Sequence, residues 1–109
     1  MSEEENKSLV LRYFDERWNK KNFAIVDELA PGDDAEDHKA WLAQVHAALG
    51  NLQFSVDRVV TEDDHVVLLW TVTGVHQGEY EGVPPTGRNI TFRGLAMLHT
   101  LVQLQTAKF

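Results

Sequence analysis

The chain has 109 residues, no Cys and a formal net charge of -7. This length predicts one domain over residues 1–109, and the missing Cys excludes disulfides, thiol nucleophiles and zinc–thiolate sites. The acidic balance disfavours contact with phosphate backbones and anionic lipids, so neither nucleic acid nor membrane is an expected partner.

No apolar run approaches the ~20 residues that span a bilayer. Ser2 to Glu5 lacks the basic and apolar regions of a signal peptide, so the cytoplasm is the expected location. Hydrophobic residues make up 43% and charged residues 25%, the composition of an ordinary globular chain.

The first segment, Glu3 to Lys20, reads as an amphipathic helix. Leu9, Val10, Tyr13, Phe14 and Trp18 recur at helical spacing. Ser2 and Glu5 have capping-box spacing at its start. A short second helix is expected from Phe23 to Leu29, closed by Pro31-Gly32. A third begins with Asp33 and Glu36 at capping-box spacing. Its buried stripe is Trp41, Leu42, Val45, Ala48 and Leu49, and Gly50-Asn51 reads as its stop.

After Asn51 the period becomes two. Leu52, Phe54 and Val56 alternate with Gln53, Ser55 and Asp57, the pattern of a half-buried strand. Thr61 to Asp64 is a polar turn, and His65 to Val75 is a second strand. Gln77 to Arg88 is a Gly- and Pro-rich connection. Asn89 to about Gln105 forms a long third strand, with Gly94 and His99 as its weak points. Helices first and antiparallel strands after predict a segregated α+β fold, with helices covering one face of a curved sheet.

Parity sorts the strand side chains. Val66, Leu68, Trp70, Val72, Gly74 and His76 share one face; Ile90, Phe92, Gly94, Ala96 and Leu98 share one on the next strand. Tyr13 and Trp18 on the first helix are natural partners for Trp70 and Phe92. An aromatic lining with few polar groups suits a small-molecule pocket, though plain core accounts equally for Trp18 and Trp70, and better for Phe14 and Trp41.

His76 falls on the pocket parity at a strand end. It can transfer a proton near neutral pH, or it can hold the Gly-rich turn through a carbonyl. His65 reads as solvated and His99 has outward parity. His38 and His46 lie about 80° apart around a helix. No metal site is expected, for want of convergent ligands. No G-x-S-x-G elbow or P-loop occurs.

The run from Trp70 through Thr71, Gly74, His76, Gly78, Gly82, Pro84, Pro85, Thr86, Gly87 and Arg88 to Phe92-Arg93-Gly94 resembles the SnoaL-like polyketide cyclases of the ketosteroid isomerase and nuclear transport factor 2-like superfamily. That family has a strand W-T-x-x-G-x-H-x-G, then G-x-P-P-T-G, then a strand ending F-R-G. Asn6-Lys7 and Trp18-Asn19 before Phe23 are similar to it too. The resemblance implies a cone-shaped α+β barrel around a deep apolar cavity, and a cofactor-free intramolecular aldol condensation of a small apolar or aromatic ligand.

By parity and spacing, His76 is the one proton-transfer group expected inside such a cavity, with Tyr13, Trp18, Trp70 and Phe92 contacting substrate. A ligand-binding or dimerisation domain without catalysis is the alternative, because the chain departs from the family in two places. Ala30 to Glu36 replaces a strand and loop, and the end of the chain lacks the family's closing strand with its Trp and acidic residues. Ala96 stands at an often acidic position, so the family's catalytic carboxylate has no counterpart. The unclosed edge predicts a homodimer in which the tail after Ile90 pairs with, or crosses to, its mate.

Overall fold

The structure, a computed structural model, describes residues 2–100 and, as backbone, residues 104–106. Helix α1 (Glu3–Phe14) starts with a full capping box. Ser2 Oγ accepts the Glu5 N–H at 3.1 Å, and Glu5 Oε1 accepts the Ser2 N–H at 3.1 Å. Two orphan donors of the first turn are thereby satisfied. Val10, Tyr13 and Phe14 are buried. The helix then widens into a π-helical turn, Asp15–Asn19, which buries Arg17 and Trp18. Such bulges concentrate at functional sites.

Helix α2 (Ile25–Leu29) buries Ile25 and Val26. Helix α3 (Ala35–Ala48) buries Ala35, Leu42, Val45 and Ala48. Two expectations change here. Asp34, not Asp33, is the N-cap, and it makes no side-chain cap bond, so the expected capping box does not form. Gly50-Asn51 does not end the helix either. Leu49 is already extended, and the Ala48 carbonyl takes the N–H groups of Gln77 and Gly78 at 3.0 and 3.1 Å. Asn51, at φ 52, instead serves a bulge in the following strand.

Strands β1 (Leu49–Glu62), β2 (His65–His76), β3 (Asn89–Thr100) and β4 (Leu104–Thr106) form one antiparallel sheet in sequence order. Register shifts between Gly50 and Gln53 and between Val56 and Arg58 bend β1, the usual consequence of a bulge. The inner face follows parity: Phe54, Val66, Leu68, Val72, His76 and Leu98 are buried.

Strand β3 is continuous through Gly94 and His99, so neither breaks it. The single long strand expected to about Gln105 becomes two. Thr100 pairs with Leu104, and β4 runs back along β3 of the same chain. Residues 101–103 lie outside the described residues. Among the described residues β4 covers only Leu98 to Thr100, and Asn89 to Met97 have no partner on that side.

Two Asn side chains dock the helices on the sheet. Asn19 completes a two-way amide bridge to Phe54, donating to its carbonyl at 3.0 Å and accepting its N–H at 2.9 Å. It thus pairs with β1 much as a neighbouring strand would. Asn6 is buried and donates to the Asp63 carbonyl at 3.1 Å, tying α1 to the β1–β2 turn.

Candidate functional site

Between the helices and the inner sheet face lies a cavity of about 550 Å³. Its walls are aromatic and aliphatic. Phe14 and Trp18 come from the first helical segment, Trp41 and Val45 from α3, Phe54 from β1, Trp70 and Val72 from β2, and Ile90 and Phe92 from β3. The rings form a connected set. Trp18 and Phe54 stack at 5.9 Å, Phe54 and Trp70 at 5.8 Å, and Trp70 meets Phe92 edge-on at 6.1 Å. Such pairs add about 0.5–1.5 kcal/mol each beyond their burial and fix the wall.

Of the residues expected at the site, Trp18, Trp70, His76 and Phe92 line the cavity. Tyr13 does not. It lies behind Arg17, its hydroxyl taking an Arg17 Nη1 hydrogen bond at 3.0 Å. Trp41, expected as core, is 39% exposed, stands at the cavity mouth, and donates its indole N–H to the Tyr80 hydroxyl at 3.3 Å. That bond ties the Gly-rich connection to α3. Tyr80 and Val83 of the connection also line the cavity. A tight turn at Glu81 and Gly82, both with positive φ, brings Tyr80 and Val83 into a bridge.

His76 is buried at the end of β2. Its backbone closes the Gly-rich loop, donating to the Arg88 carbonyl at 2.9 Å and accepting the Gly87 N–H at 2.8 Å. Its Nδ1 lies 3.1 Å from Thr86 Oγ1, which also accepts the Arg88 N–H at 3.3 Å. Nε2 is buried and has no hydrogen-bond partner among the described residues. Backbone and Nδ1 thus hold the loop, and Nε2 is left without a partner among the described residues.

Arg17 is the residue that sequence reasoning missed. It is 8% exposed and lines the cavity. Its Nη1 bonds Tyr13 and lies 2.8 Å from His38 Nε2. Its guanidinium sits 4.7 Å from the Tyr13 ring centroid and 4.6 Å from that of Phe14. The signal was available. At about 100° per residue, Arg17 falls between Tyr13 and Phe14 on the apolar stripe, where a charge is out of place unless it has a task. No Asp or Glu lines the cavity among the described residues.

Burial first, and then the Arg17 charge, lower the His38 pKa below its ordinary value. The neutral imidazole can therefore accept the Arg17 N–H. Burial likewise lowers His46, which lies between Trp18 and Phe23 and meets the Arg17 carbonyl at 3.2 Å. Because both folded values lie below the unfolded value near 6.5, the unfolded chain binds more protons in that range. Stability is then complete above about pH 6.5 and falls as pH drops through the folded values. The melting midpoint is expected to decline between about pH 7 and about pH 5, and less steeply in His38→Gln. A flat midpoint over that range would contradict this.

Away from the cavity, the expectation that no ligands converge on a histidine is corrected at the β1–β2 turn. His65 Nδ1 and His99 Nε2 reach the two oxygens of Asp64 at 3.1 and 2.8 Å, and the two rings stack at 4.4 Å. Strand pairing brings them together, since His65 lies opposite His99. The Asp64 carbonyl also receives Thr100 N–H and Oγ1–H at 2.7 and 2.9 Å. The three side chains thus bond one another and pin the hairpin to the end of β3.

Helices laid over a bent antiparallel sheet, enclosing an aromatic cavity, define the ketosteroid isomerase-like α+β fold. A Catenulispora acidiphila protein with that fold superposes at a TM-score of 0.69, with 15% identity over 87% of this chain and 78% of that one. The family model for SnoaL-like polyketide cyclases matches residues 8–101. The chain belongs to that family.

AclR from Streptomyces galilaeus, a candidate hydroxylase, is 26% identical at a TM-score of 0.84, over 94% of this chain and 75% of that one. A candidate SnoaL-like polyketide cyclase from Jannaschia sp. CCS1 is 25% identical at 0.81, over 94% and 81%. No curated protein matches the chain. No helix among the described residues is long and apolar enough to cross a membrane.

Proposed function

We propose that this chain binds a small apolar or aromatic ligand in its cavity and, where that ligand is a polyketone, cyclises it by cofactor-free acid–base catalysis through His76. The observation that carries the reading is a buried imidazole on the cavity wall whose Nε2, among the described residues, has no partner and no carboxylate nearby in the lining. With Nδ1–H donated to Thr86, the Nε2 lone pair is available as a base.

It removes a proton from a carbon flanked by two carbonyls. The electron pair forms a C–C bond to a third carbonyl of the same molecule, and the resulting alkoxide takes the proton back from Nε2–H. Atoms and charge balance with no redox partner. Trp18, Trp70 and Phe92 hold the flat body of the ligand, and Tyr13 acts only by positioning Arg17.

The same absence of a carboxylate favours a second reading, binding without turnover. Incubation with an aromatic polyketone separates the two. Stabilisation with cyclised product supports catalysis, and its loss in His76→Ala assigns the base. Stabilisation with the ligand recovered unchanged supports binding alone.

We also place the protein in the cytoplasm, as a single domain, and as a homodimer. The dimer is best supported by the outer sheet face, where Leu69 and Leu95 lie opposite each other and are 41% and 51% exposed. Adjacent exposed apolar side chains of this kind mark contact surfaces. Light scattering at micromolar concentration should give twice the chain mass, and Leu95→Asp should give the monomer. A monomeric wild type would rule the dimer out.

A further inference from the structure

Among the described residues Arg17 is a cation without an anion. Its guanidinium is buried against Tyr13 and Phe14, and its Nη1 contacts are the Tyr13 hydroxyl and the His38 imidazole. Among the described residues no carboxylate pairs with it, and its Nε has no hydrogen-bond partner. A buried charge is ordinarily matched by an opposite one, because removing an ion from water costs far more than ring faces and neutral hydrogen bonds return. This chain has an excess of acidic residues, yet none is placed there. The side chain also reaches the wall of an otherwise almost wholly apolar cavity.

We infer that Arg17 is a carboxylate-binding subsite, so that the cavity takes a flat aromatic or polyketone acid: its apolar body between Trp18, Phe54 and Trp70, and its carboxylate on the guanidinium. This rests on the cavity being a ligand site, as proposed above, and adds the charge of the ligand. The ligand's carboxylate supplies the missing counter-ion, and the charge-assisted bond forms where water is scarce, which strengthens it. Tyr13 and His38 are positioning residues. They occupy Nη1 and hold the guanidinium plane, and because His38 is neutral it adds no competing positive charge. The aromatic faces around the cation keep it desolvated while the site waits for ligand.

Calorimetric titration with 2-naphthoate and its neutral isostere 2-naphthamide, at neutral pH, tests the inference on the unmodified protein. Naphthoate should bind at least about tenfold more tightly than naphthamide. In Arg17→Met that preference should vanish while naphthamide affinity stays within about twofold. His38→Gln, which keeps a neutral acceptor, should retain the preference. Equal affinity for the two probes in the wild type overturns the subsite and leaves the cavity reading standing. Binding of neither probe overturns the cavity reading, and the subsite falls with it. Because the wild-type comparison needs no substitution, a misfolded Arg17→Met would leave the test decisive.

Discussion

His76→Ala is expected to lower kcat for a cyclisable polyketone by about 10²–10⁴-fold, the usual contribution of one positioned acid–base group. Its effect on KM should be small, because the aromatic walls that hold the ligand are untouched. The loss should be this large because the cavity offers no substitute. Among the described residues no Asp, Glu or second His lines it.

His76→Ala also removes the Nδ1 bond to Thr86, but the backbone bonds of residue 76 to Gly87 and Arg88 remain. The loop should therefore stay closed and the melting midpoint should move by only a few degrees. Turnover equal to wild type would take His76 out of the mechanism. Loss of turnover with an unfolded protein would assign the residue to structure instead.

Gly94→Ala should destabilise the fold by about 1–3 kcal/mol, the cost of forcing a side chain into filled space. A Cβ at this position would overlap Cζ2, Cε2 and Cη2 of Trp70, which lies directly across the glycine. The two residues are register partners on β2 and β3. The indole cannot give way freely, since it is held between Phe54 and Phe92. Any shift also moves the cavity wall, so ligand affinity should fall together with the melting midpoint. A Gly94→Ala protein with wild-type midpoint and affinity would show that Trp70 is not held as described. Trp70→Leu in the same background should restore part of the lost stability by vacating the space.

This contact explains why the two ends of the motif from Trp70 to Gly94 belong together. Read along the chain, Trp70 and Gly94 sit midway along successive strands. In space they are one feature: an aromatic ring laid flat over a residue that has no side chain. Gly78 has a comparable reason, because a Cβ there would overlap the Ala47 carbonyl at the end of α3. The sequence pattern marks where glycine is required, and packing supplies the cause.

The helices, the strand parity and the α+β order were legible by themselves, because each depends on periodicities of 3.6 and 2 that any stretch of chain carries locally. The inward set of β2, from Val66 to His76, follows directly from that alternation. Family membership was likewise legible from the residues between Trp70 and Gly94.

What only the tertiary structure decided was where charges and edges end up. Arg17 reads locally as one more cation beside Glu16, and the stripe it interrupts becomes a cavity wall only when the sheet closes over it. Trp41 sits on the apolar side of α3 but at its margin, so the position of Tyr80 decides that it lines the mouth. His65 and His99 are 34 residues apart, and strand pairing alone brings His99 to His65 and Asp64. The return of β4 onto β3 depends on a pairing that no local pattern specifies. Periodicity is a property of a segment, whereas burial of a charge or pairing of an edge is a property of what another segment does.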